Sequence, residues 1–172
     1  MRVLPAALTV VALVAGCSSG GPAVNGGPLG GGPVGGGGSA SGECVPVTAG
    51  GSVAAGEQFG NAGHQVAVIK SVGLWRNRGL QLVSAWVLPI YDTTALGALL
   101  YPPTSIPAWA KRVRAVGARI APSKGEAYNL VVQLRPRGSA GSAQAVTVTY
   151  EAGGAVYVMQ QDFSWTITRG HC

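Results

Sequence analysis

The sequence predicts a mainly β protein: an antiparallel β-sandwich with one short helix, preceded by an N-terminal leader and a flexible linker. Three observations support this prediction. After position 43, apolar and polar residues alternate in several short runs, which is the pattern of half-buried strands. Glycine, asparagine and proline separate these runs, as expected for turns. The region 43–172 also has a normal size for a single hydrophobic core.

The N-terminus has the pattern of an export signal. Arg2 supplies a positive charge, residues 3–14 are mainly apolar, and the small residues Ala15 and Gly16 precede Cys17. The apolar run is too short for a permanent transmembrane helix, which needs about 20 residues. One interpretation is an ordinary secretory leader with a chance cysteine near its cleavage site.

The stretch Val14-Ala15-Gly16-Cys17 resembles the lipobox of bacterial lipoproteins. The resemblance implies that residues 1–16 are a lipoprotein signal peptide and that the thiol of Cys17 carries a diacylglyceryl group. It also implies a cell-membrane location on the extracytoplasmic face, with palmitate-like acyl chains in the bilayer. Each buried CH₂ of such a lipid contributes about 0.8 kcal/mol, and two or three chains give stable anchoring.

Residues 17–42 are predicted to form a flexible tether behind that anchor. Twelve of the 25 residues from 18 to 42 are glycine, and no apolar periodicity offsets the entropy of ordering them. A glycine-rich chain of this length spans roughly 25–30 Å. Glycine-rich phosphate loops lie between a strand and a helix, and no such pattern surrounds these residues.

Two cysteines remain if Cys17 carries lipid. Cys44 lies at the start of the folded region and Cys172 is the last residue of the sequence. Exported proteins fold in an oxidising compartment, so we expect these two to form a disulfide bond. A free or metal-binding thiol at Cys172 is the alternative.

The charge is basic and the charged residues are few. Twelve Lys and Arg face six Asp and Glu, and removal of the leader with Arg2 leaves 11 − 6 = +5. An exported protein rarely meets nucleic acid, so we predict no nucleic-acid partner. Anionic lipid, an anionic wall polymer or another exported protein is the expected partner beside the membrane itself. A mildly basic soluble surface without a charged partner is the alternative.

The predicted strands follow the alternating runs in order. They occupy residues 44–47, 64–75, 80–91, 128–134, 145–150, 156–159 and 163–168. Pro46 places the first strand at a sheet edge. Residues 76–79 are predicted to form a tight hairpin turn, and Gly153-Gly154 to close a second hairpin.

With six to eight strands, the pattern resembles an immunoglobulin-like sandwich in a loose sense. It lacks the Cys–Trp–Cys spacing of true immunoglobulin domains, because the cysteines lie at the ends. The whole chain resembles small exported lipoproteins of actinobacteria-like bacteria in its Ala, Gly, Val and Arg content, lipobox, glycine tether and compact β domain. That resemblance implies no particular activity.

The short helix is predicted between Ser105, a candidate N-cap, and Gly117, which can end it. Pro107 suits the first turn. Apolar residues follow helical spacing at Ile106, Trp109, Ala110, Val113 and Val116. A strand with a bulge over 106–116 is the competing interpretation.

A basic patch lies on and beyond this segment, and we predict that it meets an anionic partner with a tryptophan at its rim. Its residues are Trp109, Lys111, Arg112, Arg114 and Arg119. The alternative is a solvated basic face with Trp109 in the core. Two further arginine pairs flank predicted turns: Arg76 and Arg78, and Arg135 and Arg137.

The sequence gives no support for catalysis. It contains no Gly-x-Ser-x-Gly, His-Glu-x-x-His or Cys-x-x-Cys motif, and no close pair of carboxylates. We therefore predict a non-catalytic binding or positioning domain with no cofactor and no metal. The alternative is a metal or small-ligand carrier, or an enzyme, that uses His64 or His171.

Overall fold

A computed structural model describes residues 24–29, 42–90, 97–124, 128–161 and 164–172. The predicted leader, Cys17 and most of the tether lie outside the described residues. Within the described part of the chain, no helix has the length and apolar character needed to span a membrane.

The described residues form a mainly β fold, as predicted. The strands are β1 (Val24–Asn25), β2 (Glu43–Val47), β3 (Val53–Phe59), β4 (Ala67–Trp75), β5 (Leu80–Pro89), β6 (Ala98–Leu100), β7 (Val113–Arg114), β8 (Arg119–Ile120), β9 (Tyr128–Pro136), β10 (Ala140–Ala143), β11 (Ala145–Ala152), β12 (Ala155–Gln161) and β13 (Trp165–Arg169). A 3₁₀ helix, Pro107–Lys111, lies between β6 and β7.

Two five-stranded sheets pack as a sandwich, with a three-stranded sheet beside them. The first sheet has the order β1-β12-β11-β4-β8, the second β6-β3-β9-β5-β7, and the third β10-β13-β2. Most pairs are antiparallel, but β1–β12 and β13–β2 are parallel, which the sequence did not predict. The strand β2, with Pro46, lies at a sheet edge, as predicted.

The core draws residues from all three sheets, and the predicted period of two places its side chains. In β9, Leu130, Val132 and Leu134 face inward. Val146 and Val148 of β11 face them from the other sheet. The predicted hairpin of β11 and β12 is also confirmed, and Gly153 and Gly154 close it with φ values of 61° and 78°.

The turn at 76–79 does not close a hairpin. It carries the chain from β4 in one sheet to β5 in the other, and its positive φ values fall on Arg76 and Gly79. The side chain of Asn77 donates to the carbonyl oxygen of Leu80 and accepts from the Leu80 amide, each at 2.9 Å. The hairpin prediction was therefore wrong, because a turn signal does not specify whether the next strand pairs or crosses to the opposite sheet.

A β-bulge in β5 reverses the facing of that strand. The register slips between Leu82 and Ser84, so that Val83 has no opposite residue on β9. Leu82 faces the core before the bulge, whereas Ala85 and Val87 face it afterwards. The sequence placed all even-numbered apolar residues of 80–90 on one face; the bulge turns the second half of them outward.

Several strands lie where the sequence predicted none, among them β3, β6 and β10. β3 and β6 form one side of the second sheet, and β10 pairs with β13. The sequence of β3, Val-Ala-Ala-Gly-Glu-Gln-Phe, is rich in small residues with low β-propensity, so its local pattern indicates a loop and not a strand. Burial between its neighbours overrides that local preference. The uneven stretch predicted over 92–100 falls partly outside the described residues.

The segment 106–116 is neither one helix nor one strand. The 3₁₀ helix ends at Lys111, Arg112 adopts an extended conformation, and the chain enters β7, which pairs with β5. Pro107 occupies the first turn of the helix, as predicted. The apolar period is that of a helix only up to Trp109, since Ala115 is buried between exposed neighbours.

Residues 24–29, which the sequence assigned to the flexible tether, contact the sandwich. We call them the docked segment. Its first two residues extend the first sheet as β1 beside β12, and Leu29 at its end is completely buried. The hydroxyl of Tyr150 donates to the carbonyl oxygen of Gly26 at 2.8 Å and accepts from the Leu29 amide at 3.0 Å. Long-range contacts of this kind leave no trace in local composition.

Candidate functional site

The predicted basic patch falls on a segment that closes one side of the sandwich. We call residues 113–120 the crossing segment, because β7 pairs with β5 in one sheet and β8 pairs with β4 in the other. The Ala115 amide donates to the carbonyl oxygen of Ala85 at 3.0 Å, and the Gly117 amide donates to that of Ile69 at 2.8 Å. The segment is therefore fixed to both sheets.

This attachment determines which side chains face solvent. Ala115 is buried, whereas Arg114, Arg119 and the two valines of the segment are exposed. Val113 retains 53% of its accessible surface and Val116 retains 61%. Charged and apolar side chains thus emerge together from a backbone that is hydrogen-bonded to both sheets, where the sequence predicted a short helix.

Trp109 does not lie at the rim of the patch. It is 6% exposed and packs on the outer face of the second sheet, against Leu88 and Val131. Its ring meets those of Trp86 and Tyr101 edge-on, with centroids 6.1 and 5.7 Å away. The alternative interpretation, Trp109 in a core, is the one that the structure supports, so this residue offers no face to a partner.

The structure places Trp86, which the sequence did not single out, between the arginines of the patch. The Arg112 guanidinium lies 5.1 Å from the Trp86 ring centroid and that of Arg114 lies 5.3 Å from it. The bulge described above turns Trp86 outward to meet them. The period of two placed Trp86 on the same face of the strand as Leu80 and Leu82, and the bulge between them separates the two faces.

The side chain of Arg112 makes its contacts inside the domain. Its guanidinium packs over the Trp109 ring at 4.5 Å and donates to the Trp109 carbonyl oxygen at 2.9 Å. Its Nε is buried, with no hydrogen-bond acceptor among the described residues. Of the predicted patch, Lys111, Arg114 and Arg119 remain exposed. Arg119 belongs to the opposite sheet from Arg114 but to the same crossing segment.

A second basic surface, which we call the arginine end, lies where β4 ends and β5 begins. These are the ends of the two strands away from the crossing segment. Its five members are Arg76, Arg78, Arg135, Arg137 and Arg169. Backbone hydrogen bonds join their turns: the Arg137 amide donates to the carbonyl oxygen of Gly79 at 2.8 Å, and that of Arg169 to Ser139 at 2.6 Å. The two turn pairs noted in the sequence are therefore neighbours in space.

The two histidines do not converge. His64 is exposed beside a shallow depression of about 280 Å³ that Tyr157 and Pro28 also line. His171 is exposed in the loop after β13, where its carbonyl oxygen accepts a hydrogen bond from the hydroxyl of Thr168 at 3.4 Å. Among the described residues, no group of three or more His, Cys, Asp or Glu could hold a metal ion.

The predicted disulfide bond is present. Cys44 in β2 and Cys172, three residues after β13, are bonded, with their Cα atoms 5.8 Å apart. Because β2 and β13 are paired as parallel strands, the bond joins an edge strand to the end of its neighbour. The thiol of Cys172 is therefore not free to act as a metal ligand.

The carboxyl group of Glu57 lies on the inner side of a sheet. Glu57 of β3 shares its strand face with Val53, Ala55 and Phe59, which belong to the core. Burial raises the pKa of its carboxyl from 4.5 to about 7. Its Oε1 is buried and has no hydrogen-bond donor among the described residues.

Comparison with known proteins gives no further constraint: no protein-family model, curated protein or solved structure matches this chain.

Proposed function

We propose that this is an exported, lipid-anchored membrane protein whose non-catalytic β-sandwich binds an anionic component of the cell envelope. Cys17 carries the lipid in this proposal, and the crossing segment makes contact with anionic lipid head groups. The observation that carries it is the exposure of Arg114, Arg119, Val113 and Val116 on a backbone fixed to both sheets.

The chemistry of the crossing segment suits a lipid surface. A cationic side chain near an anionic bilayer contributes about 1 kcal/mol. Exposed apolar side chains beside it can enter the boundary between head groups and acyl chains. Within the described residues, no carboxylate forms an ion pair with Arg114 or Arg119. The ion pair found there joins Lys70 to Glu151 at 2.8 Å.

The position of the crossing segment agrees with an N-terminal anchor. Arg119 pairs with Val68, Val68 pairs with Glu151, and Glu151 pairs with Val156 in consecutive strands of one sheet. β1 begins beside the next residue, Tyr157. The crossing segment and the start of the docked segment therefore lie at the same end of that sheet, which would place both near a membrane that holds Cys17.

Vesicle binding tests the proposal. The full chain with Cys17→Ala should bind phosphatidylglycerol vesicles at low salt and should dissociate as salt rises, because surface charges are screened. Adding Arg114→Gln and Arg119→Gln should weaken binding at least tenfold, as loss of about 2 kcal/mol implies. Flotation with anionic and neutral vesicles measures this.

The matched control carries Arg78→Gln and Arg137→Gln at the arginine end, which removes the same charge elsewhere. Equal weakening by the two pairs would show that net charge, and not the crossing segment, determines binding. A Cys17→Ala chain without its leader that stays in the membrane fraction of cells after a high-salt wash, which removes the charge-dependent contact, would contradict the lipid anchor.

A further inference from the structure

We propose that the arginine end is a binding site for a phosphate-bearing polymer on the side of the domain away from the membrane. This inference goes beyond the proposed contact with lipid and uses different residues. Only its direction relative to the membrane rests on the proposed function.

The fold assembles this site from three separate stretches of sequence. The turn 76–79, the end of β9 and the end of β13 contribute its arginines. The Arg78 amide donates to the carbonyl oxygen of Ser142 at 2.7 Å, and the Ser142 amide donates back to that of Arg78 at 2.8 Å. Residues up to 169 − 76 = 93 positions apart in sequence thus form one continuous surface with a hydrogen-bonded backbone.

Neutral acceptors hold three of the five arginines. The guanidinium of Arg76 donates to the side-chain oxygen of Gln144 at 3.1 Å, and that of Arg135 to Gln81 at 3.3 Å. The guanidinium of Arg169 donates to a backbone carbonyl oxygen at 3.2 Å. Such contacts orient a side chain without cancelling its charge. No Asp or Glu occurs in the stretches 76–81, 132–150 or 164–172.

An uncompensated cluster of this kind is unfavourable by itself, since like charges repel. A polyanion relieves that repulsion and pairs with the planar guanidinium groups, whose N–H donors match two oxygens of a phosphate. Five arginines spread over three stretches of the chain suit a polymer of repeated phosphates better than one small anion.

The surface also has a shape that a polymer can follow. An open depression of about 370 Å³ is lined by Arg76, Asn77, Arg78 and Gln144. Beside it, the Arg76 guanidinium stacks over the ring of Trp75 at 4.1 Å, and 37% of Trp75 is exposed. The stacked pair presents a cation on a flat apolar support, which reduces the freedom that binding must remove.

Its place in the molecule separates it from the crossing segment. Trp75 and Val68 lie at opposite ends of β4, about 23 Å apart at 3.3 Å per residue. The docked segment starts at the Val68 end of the sheet, so a membrane that holds the N-terminus lies on that side. The arginine end then faces away from the lipid, toward material outside the bilayer.

Inorganic polyphosphate serves as the probe, with the purified full chain. Labelled polyphosphate should bind in fluorescence anisotropy at low salt. Arg78→Gln with Arg137→Gln should weaken binding at least tenfold and reduce its salt dependence, because fewer phosphates are neutralised. Neither guanidinium takes part in a recorded side-chain hydrogen bond to the described residues, so thermal unfolding should stay unchanged.

Arg114→Gln with Arg119→Gln is the matched control and should leave polyphosphate binding within twofold. Polyglutamate of similar charge should bind more weakly than polyphosphate. Equal loss in both arginine pairs, or equal affinity for polyglutamate, would overturn the proposal. Vesicle binding depends on the other pair, so failure here leaves the proposed function standing, and failure there leaves this site standing.

Discussion

At the scale of single residues, the fold buries a carboxyl group in a position that raises its pKa. Glu57 occupies an inward-facing position of a strand, and burial raises the pKa of its carboxyl to about 7. In the unfolded chain the same carboxyl titrates near its ordinary value of 4.5. Between these values the folded protein binds more protons than the unfolded protein, so stability falls as pH rises.

We therefore predict that Glu57→Gln removes a pH-dependent cost. The free energy of unfolding of the variant, relative to the native chain, should be constant below about pH 4.5. It should rise in favour of the variant up to about pH 7 and then level off. The upper limit of the change is on the order of 3 kcal/mol, since one pKa unit corresponds to about 1.4 kcal/mol.

Urea titrations at pH 4.5, 5.5, 7 and 8 measure this difference. Glu43→Gln, on an exposed position of β2, is the matched control and should show no comparable trend. Parallel pH profiles for the native chain and Glu57→Gln would contradict the prediction.

At the scale of elements, the docked segment shows how one side chain can order a glycine-rich stretch. A Cβ on Gly27 would lie 2.5 Å from the Tyr150 hydroxyl oxygen and from the Tyr157 ring, so the chain approaches too closely for any other residue. Gly27 also has φ +85°, which side chains rarely adopt. The two tyrosine rings stack at 5.4 Å beneath it.

Tyr150→Phe should release the docked segment. The change deletes one hydroxyl and leaves two backbone groups without that partner, which costs about 1–3 kcal/mol at about 0.5–1.5 kcal/mol for each hydrogen bond. Hydrogen exchange at the amides of Gly26 and Leu29 should accelerate, while exchange in β9 should not. Mass spectrometry of peptides from 24–29 measures the effect.

Tyr157→Phe is the matched control, because the Tyr157 ring stacks here while its hydroxyl makes no recorded hydrogen bond to the described residues. Equal acceleration in both variants would show that ring packing, and not the Tyr150 hydroxyl, holds the docked segment.

At the scale of the whole molecule, the disulfide bond encloses nearly all of the folded chain. It joins residues 128 positions apart. In the chain-entropy model, closing a loop of about 100 residues restricts the unfolded state by roughly 4–5 kcal/mol. The bond also fixes β2, whose pairing partner within the described residues is β13.

The double variant Cys44→Ser, Cys172→Ser should therefore be less stable than the native chain by about 2–5 kcal/mol. Thermal unfolding of the exported full chain measures this. Reduction of the native chain by a thiol should produce a similar loss. An unchanged midpoint in the variant would show that the third sheet holds its edge strand without the bond.

The sequence predicted those parts of the fold that depend on local pattern. Val146 and Val148 alternate with threonines before a glycine pair, and their hairpin was predicted correctly. The bulge at Val83 was missed, because its position depends on the register with Gln133 of a strand nearly 50 residues away. The outward position of Trp86, and so the aromatic part of the site, follows from that bulge.

The two basic surfaces were also predicted only in part. The sequence predicted the exposed cations of the crossing segment correctly. It placed Trp109 at the rim beside them, whereas tertiary packing buries that side chain. The arginine pairs at the two turns were visible, yet their meeting was not, since it depends on Arg137 donating to Gly79. Cys44 and Cys172 were paired correctly by counting, because only two cysteines remained after Cys17.

The docked segment shortens the tether that would join a lipid anchor to the sandwich. If Cys17 holds the lipid, seven residue steps separate it from Val24, a reach of at most about 25 Å. The glycine-rich residues 30–41 follow the docked segment in the sequence and so add nothing to that reach. Confining the sandwich to so thin a layer raises its effective concentration at the membrane, since the accessible volume shrinks with the length of the linker. Release of β1 would lengthen the tether by the docked residues and residues 30–41 together.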